Sequence, residues 1–333
     1  MKKNSCALKK CKLAVMYERS TACRSGRRLF SAGLIKMNHK ISIRFFNDRE
    51  VRAAWDDVSG QWMFSVVDII AVLTESANPR KYWSVLKSRL KKSDSPLAES
   101  CIQLKMTAAD GKKYLTDCLG QKDILSLIES IPSRFSVPFI QWLTYSGTTV
   151  DGQSRTKAYA LFESGLLENL EPGNVKSLQQ IHSYLFGGLY DFAGKIRNKN
   201  ISKTGFQFAM AQFLPETLAA IEAMPESTYD EIIDKYVEMN VAHPFMEGNG
   251  RSTRIWLDGM LKRGLKKCVD WSRVNKNDYL EAMRRSVADS SEIKALLQPA
   301  LTEKINDREM FMKGIDYSYY YESDDPDMEP DDK

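Results

Sequence analysis

Histidine is almost missing from this sequence: there are 3 in 333 residues, His39, His182 and His243. Any imidazole chemistry must therefore use one of three positions. The six cysteines, Cys6, Cys11, Cys23, Cys101, Cys118 and Cys268, are scattered, with no CxxC pair and no histidine at zinc-site spacing. That pattern argues against a structural zinc site and fits a reduced compartment better than a disulfide framework. Long apolar runs are missing as well. The best candidate, FSVVDIIAVL at 64–73, falls short of the roughly 18 residues a membrane span needs and carries Asp68 inside it. The opening MKKNSCALKKCKLAVM is basic like a signal peptide but has no continuous apolar segment. A cytoplasmic protein with no membrane partner is expected. Internal repeats and low-complexity linkers are also lacking.

What is present is globular composition, 43% hydrophobic and 27% charged, in a chain long enough for two domains. The net charge of +5 is unevenly placed. Residues 1–40 hold eleven Lys/Arg against Glu18 alone, while ESDDPDMEPDD at 322–332 holds seven acids and no base. Both ends read as solvated tails, residues 1–37 and 324–333. Met37, just before the strand-like ISIRFF, competes with Met1 as the true start.

Strand-like stretches cluster early, at 41–46, 50–56 and 61–67, with the turn DDVSG at 56–60 making the last two a hairpin. Helices are expected from about Val67 to Leu73, over 80–92 after Pro79, and from Lys122 to Glu129. Strand character returns over 101–116 with a turn at Asp110-Gly111. Residues 38–147 thus read as a small α+β domain. From 148 to 323 the periodicity is almost wholly helical. The exception is 194–209, where a turn at Thr204-Gly205 between Ile201 and Phe206 predicts a β-hairpin. The fold class expected is a mainly α domain with a hairpin flap, preceded by a small α+β domain.

The informative segment is HPFMEGNGRSTR at 243–254. Thr228 caps a helix that ends before His243, and Gly248-Asn249-Gly250 feeds a second helix ending near Gly264. A glycine-bounded loop at a helix N-terminus offers backbone N–H groups to an anion. Arg251 and Arg254 share one face of the first turn, and their forks suit phosphate oxygens. His243 can accept a proton at neutral pH. Glu247 is a hard oxygen ligand of the kind Mg²⁺ uses beside nucleotide phosphates. Base, metal ligand, anion nest and two clamps are the parts phosphate-transfer chemistry needs. His182, at 178/181/182/185 helical spacing, is assigned to packing.

The segment resembles the Fic family signature HxFx(D/E)GNGRxxR at every specified position. IHSYLFGGLYDFAGKIR at 181–197 and NISKTGFQFA at 200–209 extend the likeness. The resemblance implies a protein adenylyltransferase that moves AMP from ATP to a Ser, Thr or Tyr hydroxyl of a target protein. It implies His243 as the base, Glu247 as the Mg²⁺ ligand, and Asn249 with the Gly248 and Gly250 backbone as the α-phosphate anion hole. It further implies Arg251 on the β-phosphate, Arg254 on the γ-phosphate, and Ser202, Lys203, Thr204 and Gly205 as a flap that docks the target by strand addition.

Residues 306–323, ending in SYYYE, have helical spacing with Ser318 and Glu322 at i,i+4. They resemble the C-terminal inhibitory helix of class III Fic proteins, pattern (S/T)xxxE(G/N), with Ser323 departing at the last position. The resemblance implies that Glu322 takes Arg254 away from the γ-phosphate. Tyr319, Tyr320 and Tyr321 are expected to be exposed candidates for self-modification. Residues 41–145 resemble the BRO N-terminal domain of prophage antirepressors, which implies a DNA or repressor partner. Their fourteen bases against twelve acids are far from a strongly basic footprint, and only 80–92, with six Lys/Arg, is locally basic. The rival function is a DNA-binding regulator whose Fic half is non-catalytic or phosphate-sensing. Homo-oligomerisation is left open.

Overall fold

The computed structural model describes residues 41–56, 59–108, 110–145, 147–203, 206–322 and 329–330. The tail 1–37, the flap turn Thr204-Gly205 and Ser323 lie outside the described residues.

The chain begins with a five-stranded antiparallel sheet of β1 (Ile41–Phe46), β2 (Arg49–Asp56), β3 (Gln61–Ser65), β4 (Ile102–Thr107) and β5 (Lys113–Gly120), in the order β1-β2-β3-β5-β4. Asn47 and Asp48, at φ 47 and 59, form the tight turn of the first hairpin. Against the sheet pack α1 (Val66–Thr74), α2 (Pro79–Lys92), the short α3 (Pro96–Glu99), α4 (Gln121–Glu129) and α5 (Ser136–Tyr145). Local chemistry sets their ends. Ser65 caps α1 by accepting from the Asp68 N–H, and Asn78 caps α2 with Pro79 in its first turn. Val51, Phe64, Ile69, Leu119, Leu127 and Phe139 lie at the centre of this core.

The rest is mainly helical: α6 (Val150–Leu161), the short α7 (Leu166–Asn169), α8 (Val175–Phe186), α9 (Leu214–Glu222), α10 (Tyr229–Ala242), α11 (Asn249–Leu265), α12 (Lys276–Arg285), α13 (Ser291–Leu297) and α14 (Arg308–Glu322). The expected hairpin is present as β6 (Ile201–Lys203) and β7 (Phe206–Gln207). β8 (Cys268–Val269) pairs with β9 (Leu301–Thr302), and β10 (Glu329–Pro330) adds antiparallel to β6. A second core runs through Leu178, Leu185, Ile233, Tyr236, Trp256, Leu257, Trp271 and Tyr321. No helix among the described residues is long and apolar enough to cross a membrane.

Helix α14 lies between the two cores. It packs on α6 and α11 on one side and on β1 on the other. β1 is an edge strand, whose unpaired backbone groups need a partner. The Ile43 N–H finds one in the α14 side chain Asp316, at 2.5 Å.

The expectation that the three consecutive tyrosines are exposed is corrected. Tyr319 and Tyr321 are 5% and 1% exposed, and Tyr320 is half-buried. Their hydroxyls are engaged: Tyr319 with Ser154 at 3.0 Å, Tyr321 with two backbone carbonyls, Tyr320 with Asp48 at 2.8 Å. Three successive residues of a helix point in directions about 100° apart. Because α14 has partners on both sides, Tyr319 and Tyr321 are closed off from water and Tyr320 is partly covered.

Candidate functional site

Helix α10 starts on a full capping box, with Thr228 accepting from the Glu231 N–H and Glu231 accepting from the Thr228 N–H. It ends at His243, which takes the left-handed conformation, φ 48, as the C-terminal cap. The ring is 9% exposed and stacked on Phe208 of the flap, centroids 3.7 Å apart. Its Nδ1–H donates to the Asn240 carbonyl at 3.1 Å. A carbonyl only accepts, so Nδ1 carries the proton and Nε2 is left with its lone pair. Nε2 is buried with no hydrogen-bond partner among the described residues. Burial is the main cause that pushes the imidazole pKa down to about 3, with Lys203 and Arg197 adding to the fall and Asn240 opposing it. The ring is neutral at pH 7.

Gly248 caps α11 at φ 80, and a Cβ there would meet the Phe186 ring at 2.4 Å. Only glycine serves both constraints. The first N–H groups of α11 have no acceptor within the helix. The Asn249 side chain is occupied: Oδ1 accepts from Phe245 N and Nδ2 donates to Phe245 O, both at 2.8 Å. It shapes the loop, which leaves the α11 backbone N–H groups as the donors available to an anion. His182 supports the same loop. Gly194 N donates to its Nδ1, so its Nε2–H donates to the Glu247 carbonyl, each at 2.8 Å. Burial lowers its pKa to about 4, and it stacks on Phe245. Packing, as expected, is its role.

Arg251 is 4% exposed and pairs with both Glu247 and Asp151. Its Nε is buried without a partner among the described residues, a donor still to be satisfied. Glu247 is the one motif carboxylate, and among the described residues no cluster of three His, Cys, Asp or Glu could hold a metal unaided. A lone glutamate fits Mg²⁺, which is usually held by one or two carboxylates together with phosphate oxygens.

Arg254, 3% exposed, has its guanidinium engaged mainly by α14, with Nη1 donating to Tyr279 of α12 at 3.4 Å. Nε donates to Ser318 Oγ at 2.8 Å, Nη2 to the Ser318 carbonyl at 2.9 Å and to Glu322 Oε1. Burial by itself would raise the Glu322 pKa, but Arg254, then Lys203 and Arg251, overcome it and hold it at about 2. Lys203 Nζ on the flap is 3.8 Å from the other Glu322 oxygen. A Cβ on Gly250 would meet Glu322 Oε1 at 2.1 Å, so the carboxylate rests on the glycine loop itself. A cavity of about 160 Å³ joins His243, Gly250, Arg254, Glu322, Lys203, Phe208, Tyr279 and Met283.

Seven of the expected residues therefore converge on the start of α11: His243, Glu247, Gly248, Gly250, Arg251, Arg254 and Glu322. Asn249 supports the loop, Ser318 holds Arg254, and Ser202 lies in β6 opposite Gln207. The sequence reading missed Asp151 and Arg197. Arg197 is buried and donates to four carbonyls: His243 at 2.7 Å, Lys199 at 2.7 Å, Ala242 at 3.1 Å, and Ala209. It ties both roots of the flap to the base. An arginine in GKIR carries no local sign of that role.

Residues 172–261 match the model of the Fic/DOC family. A stretch of 169 residues is 31% identical to the protein adenylyltransferase VbhT of Bartonella schoenbuchensis, covering 46% of this chain and 35% of that protein. The probable protein adenylyltransferase y4lH of Sinorhizobium fredii is 28% identical over 140 residues, 38% of this chain and 72% of its own. The chain thus carries a Fic/DOC segment and has protein adenylyltransferases among its relatives, while spanning only about a third of VbhT. Among solved structures, BepC of Bartonella tribocorum with bound AMPPNP is similar at a TM-score of 0.40 and 16% identity, covering 52% of this chain and 92% of that one.

Proposed function

We propose that this chain is a protein adenylyltransferase that moves AMP from ATP to a Ser, Thr or Tyr hydroxyl of a target protein, and that Glu322 holds it inactive. One observation carries the reading: a neutral imidazole with an unpartnered Nε2 beside a helix N-terminus and a buried arginine. Nε2 would take the proton of the target hydroxyl. Its oxygen then bonds the α-phosphorus in line, the bond to the bridging α–β oxygen breaks, and pyrophosphate leaves. The α11 backbone N–H groups would hold the α-phosphate, and Arg251 the β-phosphate through the Nε–H that now lacks a partner. Glu247 would hold Mg²⁺, which would neutralise phosphate charge. Flap strand β6 would dock the target as an added strand.

Glu322 opposes this by engaging Arg254, the residue assigned to the γ-phosphate. The cavity of about 160 Å³ is below the roughly 300 Å³ of ordinary ligand pockets, as expected with the carboxylate in place. The two-part organisation, residues 38–147 and 148–323, belongs to this proposal.

The test is incubation of the chain with α-labelled ATP, Mg²⁺ and bacterial lysate. Label on protein that disappears in His243→Ala supports the reading. Label retained in that variant overturns it, as does DNA retardation with no label in either wild type or a Glu322→Gly chain.

A further inference from the structure

We propose that the N-terminal sheet module has a regulatory function: it grips the outer face of α14 and thereby holds the Glu322 brake closed. This rests on the adenylyltransferase reading above.

The brake and the grip share two turns of one helix. On the inner face, Ser318 and Glu322 engage Arg254. On the outer face, Asp316 accepts from Ile43 N at 2.5 Å and from Ser42 Oγ at 3.3 Å. Tyr317 OH donates to Glu50 at 2.5 Å, and Tyr320 OH to Asp48 at 2.8 Å. The Phe45 ring stacks on Tyr320, centroids 4.0 Å apart, and meets Tyr317 edge-on at 5.1 Å. Thr107 of β4 and Lys113 of β5 hold Glu309 at the start of the same helix.

An α-helix is stiff over such a distance, so residues 316–320 and 318–322 move as one body. A displacement of Tyr320 by one turn's fraction carries Glu322 with it. The support on the other side is a tight hairpin turn, Asn47-Asp48, whose fixed backbone presents Asp48, Glu50 and Phe45 together. Asp48 and Glu50 are exposed and Phe45 and Tyr320 half-buried, so the hairpin end of the contact is open to solvent, while Asp316, which also accepts from Tyr159 of α6, and Tyr317 are buried. Here the anchoring residues are interleaved with the braking ones.

Ligands bias a two-state element only through contacts that differ between the states. The prediction is therefore a dependence of activity on the grip that vanishes once the brake is gone. The experiment uses the full chain with Phe45→Ala, Asp48→Gly and Glu50→Ala combined; glycine suits the positive φ at position 48. Initial rates of labelling from α-labelled ATP are compared with wild type, and the same triple is placed on Glu322→Gly. The expected result is a rise of about tenfold in the first background and under about twofold in the second. Equal rises in both, or none in the first, overturn the proposal. Hydrogen exchange of residues 314–322 is the second readout, and it should speed up in the triple variant. Unchanged protection also overturns the proposal. Tyr320→Phe, which removes one hydroxyl and keeps the ring, guards against loss of folding and should give a smaller rise in the same direction. If Glu322→Gly itself gives no label, the adenylyltransferase reading fails, while hydrogen exchange still decides whether the module holds the helix.

Discussion

Replacing Glu322 with glycine removes one member of a buried ion pair and leaves the other. Arg254 is 3% exposed and Glu322 18% on its side chain, so most of the interaction is out of water. Removing one partner of a buried pair costs about 3–5 kcal/mol. The lower end applies, because Glu322 keeps some exposure and Arg254 keeps Ser318 Oγ and the Ser318 carbonyl. About 3 kcal/mol corresponds to a factor on the order of a hundred in the closed-to-open ratio. Two measurements follow. Labelling from ATP should rise on the order of a hundredfold. Without nucleotide the variant should melt about 4 °C lower, since an unfolding entropy of about 2.1 cal/mol/K per residue gives about 1.4 °C per kcal/mol for a chain of 333 residues. A non-hydrolysable ATP analogue should recover much of that loss in the variant and do little for wild type, since only the variant has the Arg254 N–H that faced Glu322 left open. A rise of under about threefold, or a variant that melts with wild type, would refute the idea that Glu322 and the γ-phosphate compete for one arginine.

Ser318→Ala removes the acceptor of Arg254 Nε but not the carboxylate, so labelling should rise only several-fold, as for one hydrogen bond of about 1 kcal/mol; a rise equal to that of Glu322→Gly would put the brake on the serine. His243, held near 3 by burial, should keep labelling flat between pH 5 and 8 in the Glu322→Gly chain; a rate that falls away below pH 6.5 would show an ordinary, solvated imidazole. Glu322, at about 2, lies below its usual value, so its stabilisation is complete above about pH 4.5 and lost as pH falls toward 2; mild acid should therefore not release the brake. Asp316 has the opposite sign. Burial raises it to about 7 despite Arg155, Tyr159, Ile43 N and Arg44, so its stabilisation is present at low pH and lost as pH rises through 7. Melting temperature should fall from about pH 4 to pH 7 and level off above, and Asp316→Asn should flatten that fall.

The parts that were legible before the structure are those that local rules write. Thr228 announces the start of α10, Pro79 that of α2, and Gly248 and Gly250 the entry to α11; each acts within four residues of itself. The i,i+4 spacing of Ser318 and Glu322 likewise placed both on one face, and both meet Arg254. What was not legible is long-range. Tyr317 meets Glu50 and Asp316 meets Ile43 across more than 260 residues, and no periodicity in SYYYE records a second surface on its far side. The exposure expected for Tyr319 and Tyr321 failed for that reason. Arg197 was missed for another: its partners are backbone carbonyls, which every residue has, so no partner side chain marks them in the sequence.

Gly250 and Glu322 express one constraint from two sides. The position a Cβ would fill at Gly250 is within 2.1 Å of a brake oxygen, and the same bare backbone is where a phosphate oxygen would have to come closest. A helix N-terminus favours any anion brought to it, and a carboxylate tethered on α14 is such an anion at very high local concentration. On the proposed reading the brake would imitate the ligand it excludes, occupying Arg254 and the space over Gly250 as phosphate would. Loosening α14 raises activity on this account without altering any residue that would touch the nucleotide, because only the tethered anion's local concentration changes. A side chain added at position 250 would be a poor substitute for removing Glu322, since the atom that displaces the carboxylate would also block the phosphate.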